Sequence, residues 1–283
     1  VYDTVVSSSV FWARVNEEIA EGRLTDNQLY RLEYRNRPTQ VYRAPGILLT
    51  VISPNMRANI QAIQDTNPNA TSGVLVLKLH EKQVVFSGDS TIPQWLSIRQ
   101  LRGRAINCFL LTIPHHGGGV WERQRSGESQ VVYEARVAHE LDWFYTQAVR
   151  AEVGVISVGT SNSYRHPRSE VIDAFRRNGG EVFCTQMTAR CDPDLEAQRR
   201  RALPIVLPSR SSVTLQQTES GRSSNVACGA TLHVGILPGQ AVIHRFAEHN
   251  AAVARVPVLA GQRPLCRRLS PVSSGWKLVP SSR

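Results

Sequence analysis

Between residues 46 and 187 the chain alternates short apolar runs with amphipathic stretches. GILLTVIS (46–53) is apolar and stops at Pro54, the pattern of a buried strand. MRANIQAIQDTN follows with helical spacing and runs into the turn-rich PNATSG. VLVLKLH (74–80) and VVFSG (84–88) flank EKQ, which predicts a β-hairpin. TIPQWLSIRQLRGR predicts a helix, with Pro93 in the first turn, where a missing N–H costs least. INCFLLTI (106–113) predicts the next strand, and residues 128–149 a helix. EVGVISVGT (152–160) reads as a further buried strand, HPRSEVIDAFRRNGG as a helix with a glycine stop, and EVFCTQ as a closing strand. Strands alternating with helices predict a layered α/β domain over 46–189.

The flanks read differently. Residues 1–45 form a helical N-terminal segment, with Phe11, Trp12, Val15 and Ile19 at helical spacing. Residues 190–224, rich in Arg, Ser and Pro, read as a linker. Within 225–283, ATLHVGIL–PGQ–AVIHRF predicts a small β-rich appendage, a hairpin, and the tail SPVSSGWKLVPSSR is expected to be flexible. No internal repeat is visible.

Composition changes this picture little. The hydrophobic fraction, 41%, is slightly low for a globular chain but far from the disordered range. No apolar run is long enough to span a bilayer, and the N-terminal stretch has no basic region followed by an apolar core. A cytoplasmic protein without a membrane partner is therefore expected. Cys108, Cys184, Cys191, Cys228 and Cys266 are odd in number and form no C-x-x-C pair, so buried free thiols are expected rather than a disulfide scaffold. The net charge of +10 favours a polyanionic partner such as nucleic acid or another phosphodiester. Only three of the cations are lysine, however, and that arginine skew can come from codon usage alone. The basic stretches RQLRGR and QRRRA lack interleaved aromatics and read as solvated faces.

The chemistry gathers after the strands. Asp89 follows VVFSG, His115 and His116 follow FLLTIP, and His166 follows VISVGT within a loop. In layered α/β folds, sites collect at the carboxyl ends of strands, where the scaffold is rigid and the loops vary. Asp and His are ligand types for zinc or manganese. Each residue also has a plain structural reading: Asp89 as the N-cap of the next helix, the His pair as loop, His166 as a turn residue before Pro167. Their shared position and order lift the site reading above these. Two adjacent histidines can face one site only if the backbone turns there, and Gly117, Gly118 and Gly119 allow that turn.

These residues carry a resemblance. VLVLKLHEKQVVFSGDS, FLLTIPHHGGG and VISVGTSNSYRHPRSEVIDAFRRNGGEVFCT resemble the metallo-β-lactamase-fold hydrolases, and in particular the ComEC-type subgroup with its "GD", "HHGS" and "S-x-G-x-N-x-x-x-HP" patterns. Asn69 and Ser72 are similar to the same subgroup's "N-x-x-S-L-V-L". The resemblance implies the C-terminal half of an αββα sandwich, one or two zinc ions (manganese being the other candidate), and hydrolysis by metal-activated water. It implies Asp89 as a bridging carboxylate and His115, His116 and His166 as ligands or substrate-stabilising groups. It makes Asp89 and His116 the catalytic pair, with Asn162 and Arg165 near the substrate.

The sequence departs from that family in two places. No H-x-H occurs, so the H-x-H-x-D-H that supplies most of the first metal site is absent, and Gly118 stands where serine is usual. The expectation is a phosphodiesterase or nuclease completed by a missing N-terminal half or by a partner chain. The alternative is a degenerate scaffold or binding protein that kept the fold and lost the chemistry.

Overall fold

The computed structural model describes residues 17, 20–23, 38–53, 68–159, 164–185, 188, 233–245 and 276–280. The chain divides into two compact units, Val1–Leu32 and Glu33–Arg283. In the first, the Glu21 N–H donates to the Glu17 carbonyl, one turn of helix. Everything below belongs to the second. The helix expected over 56–67 and the linker over 190–224 lie outside the described residues, as do Cys191, Cys228 and Cys266.

The second unit is an α/β fold built on a mixed sheet of seven strands: β1 (Thr39–Ala44), β2 (Ile47–Ser53), β3 (Val74–Leu79), β4 (Lys82–Phe86), β5 (Ile106–Thr112), β6 (Val149–Ile156) and β7 (Glu181–Cys184). Their order across the sheet is their order along the chain. The first four form an antiparallel meander, and β4 to β7 pair in parallel. Short turns join β1 to β2 and β3 to β4, whereas each parallel step needs a crossover. Those crossovers carry α1 (Ile92–Arg102), α2 (Gln130–Trp143) and α3 (Ser169–Arg177).

A row of aromatic rings ties the helical layer together. Trp95 of α1 meets Phe144 edge-on at 5.2 Å, Phe144 touches Tyr145, and Tyr145 meets Phe175 of α3 at 5.1 Å. These rings bury against Val85, Leu111 and Ile156 in one core. Gly154 on β6 is glycine because a Cβ would meet Ile113 at 2.7 Å and Phe175 at 2.9 Å. Cys108 and Cys184 are buried and in no disulfide, as expected of thiols in a core.

Several boundaries differ from the sequence reading. Thr39–Ala44, placed in a helical segment, is an edge strand paired with β2. The helix expected over 128–149 ends at Trp143, passes through a π turn (Phe144–Ala148), and gives way to β6 at Val149 rather than 152. The predicted hairpin is present as β8 (His233–Leu237) and β9 (Gln240–Arg245), and Ala241 and Ile243 join the main core. The tail expected to be flexible contains a strand, β10 (Trp276–Pro280), parallel to β9. Among the described residues, no helix is long and apolar enough to cross a membrane.

Candidate functional site

Parallel pairing places the C-terminal ends of β4, β5 and β6 side by side on one edge of the sheet. Asp89 follows β4, the His115–His116 pair follows β5, and His166 follows β6. The three loops are stitched together by backbone: His115 N–H donates to the Gly88 carbonyl at 3.0 Å, and Arg168 N–H to the Gly117 carbonyl at 2.8 Å.

The turn anticipated at the paired histidines is present, but it begins in the histidines themselves. His115 (φ 52°, ψ 40°) and His116 (φ 55°, ψ 27°) are both left-handed, and Gly117 continues the run at φ 73°. Each non-glycine residue in that region costs roughly 1–2 kcal/mol. Hydrogen bonds within the loop and to the residue that follows β6 hold it there. His115 Nδ1 meets the Gly119 carbonyl at 2.9 Å, and His116 Nδ1 meets the Ser157 carbonyl at 2.6 Å. A carbonyl only accepts, so both Nδ1 atoms carry the proton. In the neutral rings, both Nε2 atoms then present a lone pair. This is the arrangement in which a backbone carbonyl orients a metal-ligating imidazole.

His116 Nε2 lies 3.7 Å from Asp89 Oδ1, both side chains being partly open to solvent (53% and 39%). That is too long for a hydrogen bond. It is close to the ~3.3–3.6 Å that separates two ligands on a tetrahedral ion with bonds of about 2.0–2.2 Å. The pair therefore fits two positions of a coordination sphere. Among the described residues, no three His, Cys, Asp or Glu side chains gather as a metal-binding group. The donor types and tautomers suit zinc; their number falls short.

Asp89 does not cap α1. The N-cap is Thr91, and no side chain caps that helix end. The Asp89 backbone N–H instead donates to Ser72 Oγ at 3.2 Å. Ser72 is fixed in turn by Gln94, whose amide donates to the Ser72 carbonyl at 2.7 Å and to Ser53 Oγ. Gln94 is 2% exposed, and sequence reasoning missed it.

His166 packs edge-on against His115, ring centres 5.2 Å apart. Burial, and then His115, holds its imidazole below the usual histidine range; Arg168 and His116 add to this, and Asp89 opposes it. The neutral ring is the form that ligates metal. Gly118 makes room for it: a Cβ there would meet His166 Cε1 at 2.4 Å, His166 Nε2 at 2.7 Å and the His115 carbonyl at 2.8 Å. A serine in its place would strike the imidazole. Arg165 is exposed and left-handed at φ 58°. Asn162 lies outside the described residues. Tyr164, also missed, stacks on His166 with ring centres 5.8 Å apart and planes within 17°.

A cavity of about 640 Å³ opens at the opposite edge of the sheet, beside the first residues of the parallel strands. Lys82, Asn107, Tyr145, Arg150 and Glu152 line it, and none of the candidate histidines does. No family model, curated protein or solved structure matches this chain.

Proposed function

We propose that this chain carries part of the site of a metal-dependent hydrolase of the metallo-β-lactamase type, acting on phosphodiesters. One observation carries the reading: two adjacent left-handed histidines, each oriented by a carbonyl at Nδ1, beside a carboxylate at a ligand-like gap. Left-handed residues are costly and concentrate where function needs them. The resemblance in sequence supports the same assignment.

In this reading Asp89 and His116 hold the metal, with His115 and His166 as further ligands or substrate-facing groups. Zinc or manganese bound there would lower the pKa of a coordinated water into the neutral range. The chain's own residues orient the imidazoles, keep His166 neutral and leave the rim open to substrate. The remaining ligands come from a segment or partner chain carrying the other half of the site. A second reading, a binding protein that has lost the chemistry, is favoured by the lack of a three-ligand group among the described residues.

Metal content separates the two. After dialysis against zinc, elemental analysis of the chain is compared with an Asp89→Ala, His116→Ala double variant. Zinc retained by the chain and lost by the variant is the expected result. Equal content in both overturns the metal assignment and leaves the binding-protein reading.

A further inference from the structure

We propose that Tyr164 and Arg165 form the substrate-reading rim of this site: Tyr164 stacks a nucleobase and Arg165 holds the adjoining phosphodiester. The inference rests on the phosphodiester reading above and adds that the substrate bears bases.

One face of the Tyr164 ring lies against His166, within 17° of parallel. The residue is nevertheless 75% exposed, so its other face is open to solvent at the edge of the site. An aromatic ring in that state is a platform: its back is braced, its position is set by a candidate site residue, and its free face suits a flat partner. Bases stack on such rings with little regard to sequence.

Arg165 is exposed beside it and is left-handed at φ 58°, a conformation that glycine adopts without cost. A long charged side chain held in glycine's conformation, next to an open tyrosine, is two unfavourable local choices in succession. The arginine is explained if its guanidinium meets a phosphate, for which its planar fork is suited, and the open tyrosine if its free face meets a base. Arg168 is also exposed on the same loop and adds a second cation to it.

The test uses the full chain without added metal, reading binding rather than turnover. Fluorescence anisotropy compares a labelled short oligothymidylate with an abasic strand of the same length. The base-bearing strand is expected to bind more tightly. Tyr164→Ala should weaken it by roughly 5- to 150-fold while sparing the abasic strand, and Tyr164→Trp should keep the preference. Arg165→Gly, which suits the backbone, should weaken both strands and reduce the salt slope by about 0.7. If the wild-type chain binds both strands alike, or Tyr164→Ala binds as wild type does, base stacking is overturned while the phosphodiester reading stands. If the chain binds neither strand, the phosphodiester reading falls with it.

Discussion

Gly118→Ala tests the site's architecture directly. Gly118 has φ −79° and ψ −172°, an extended backbone that alanine adopts freely. Its cost must therefore come from what the new methyl strikes. Carbon atoms prefer about 3.5–4.0 Å, whereas the Cβ would sit 2.4 Å from His166 Cε1 and 2.8 Å from the His115 carbonyl. An overlap of that size forces either the imidazole or the loop aside, at about 1–3 kcal/mol for an overpacked position. Urea denaturation measures the loss. The informative comparison is the same substitution in a His166→Ala background, where the ring is gone and only the carbonyl contact remains. The cost should fall there by at least about 1 kcal/mol, a coupling expected of residues in contact. Gly103→Ala is the control: at φ 71° with nothing within 4 Å, it should cost about 1–2 kcal/mol through the backbone, unchanged by His166. If Gly118→Ala costs the same in both backgrounds, within about 0.5 kcal/mol, His166 does not sit where the structure places it.

Three further outcomes follow from the packing. Asp89→Ala should leave stability within about 0.5 kcal/mol of wild type, since Asp89 caps no helix and its pairing with His116 is exposed; a loss above about 1 kcal/mol by denaturation would restore a structural role for it. Tyr145 is 3% exposed and its hydroxyl has no hydrogen-bond partner among the described residues, so Tyr145→Phe should be neutral or raise stability by about 1 kcal/mol; a comparable drop would reveal a partner. Glu128 receives both nitrogens of the Arg136 fork at 2.9 and 3.0 Å, and with the Arg125 N–H this pushes its carboxyl down to about 2. That contribution is present above the unfolded carboxyl's pKa and is lost as pH falls toward 2. The stability gap between wild type and Glu128→Gln should therefore shrink on acidification from pH 5 to 2, and a gap constant with pH counts against the pairing.

What was legible in the sequence follows from where periodicity was clean. The β3–β4 hairpin, β5 and α3 have apolar faces bounded by turns or glycine and lie close to where the sequence predicts them, with β4 over 82–86 rather than 84–88. β1 was missed because five of its six residues are exposed, which leaves no inward face to show alternation. The end of α2 was overrun because Phe144, Tyr145, Ala148 and Val149 continue an apolar helical spacing with no glycine or proline to stop it. Thr91 and Gln94 have the spacing of a capping box, yet Gln94 turns away to hold Ser53 and Ser72. At the site, position was readable and conformation was not. Strand ends marked Asp89 and the three histidines, but the left-handed backbone of His115 and His116 depends on carbonyls at Gly119 and Ser157. Local propensity argues against that conformation, and one of the two bonds that hold it, His116 to Ser157, comes from far along the chain.

In the seven-strand sheet, place across the sheet equals place along the chain. Synthesis proceeds from the N-terminus, so after β1 each strand emerges with a partner already made and a single connection to close. After β1, no strand waits beside the ribosome for its first partner to be translated. The growing margin, where a foreign strand could attach, moves on with each addition, and the apolar β5 and β6 occupy it only in passing. The two strands that remain at the borders are poor templates for a stranger. β1 carries Gln40 and Arg43 and is broken by a register shift between Gln40 and Tyr42, and β7 is only four residues long.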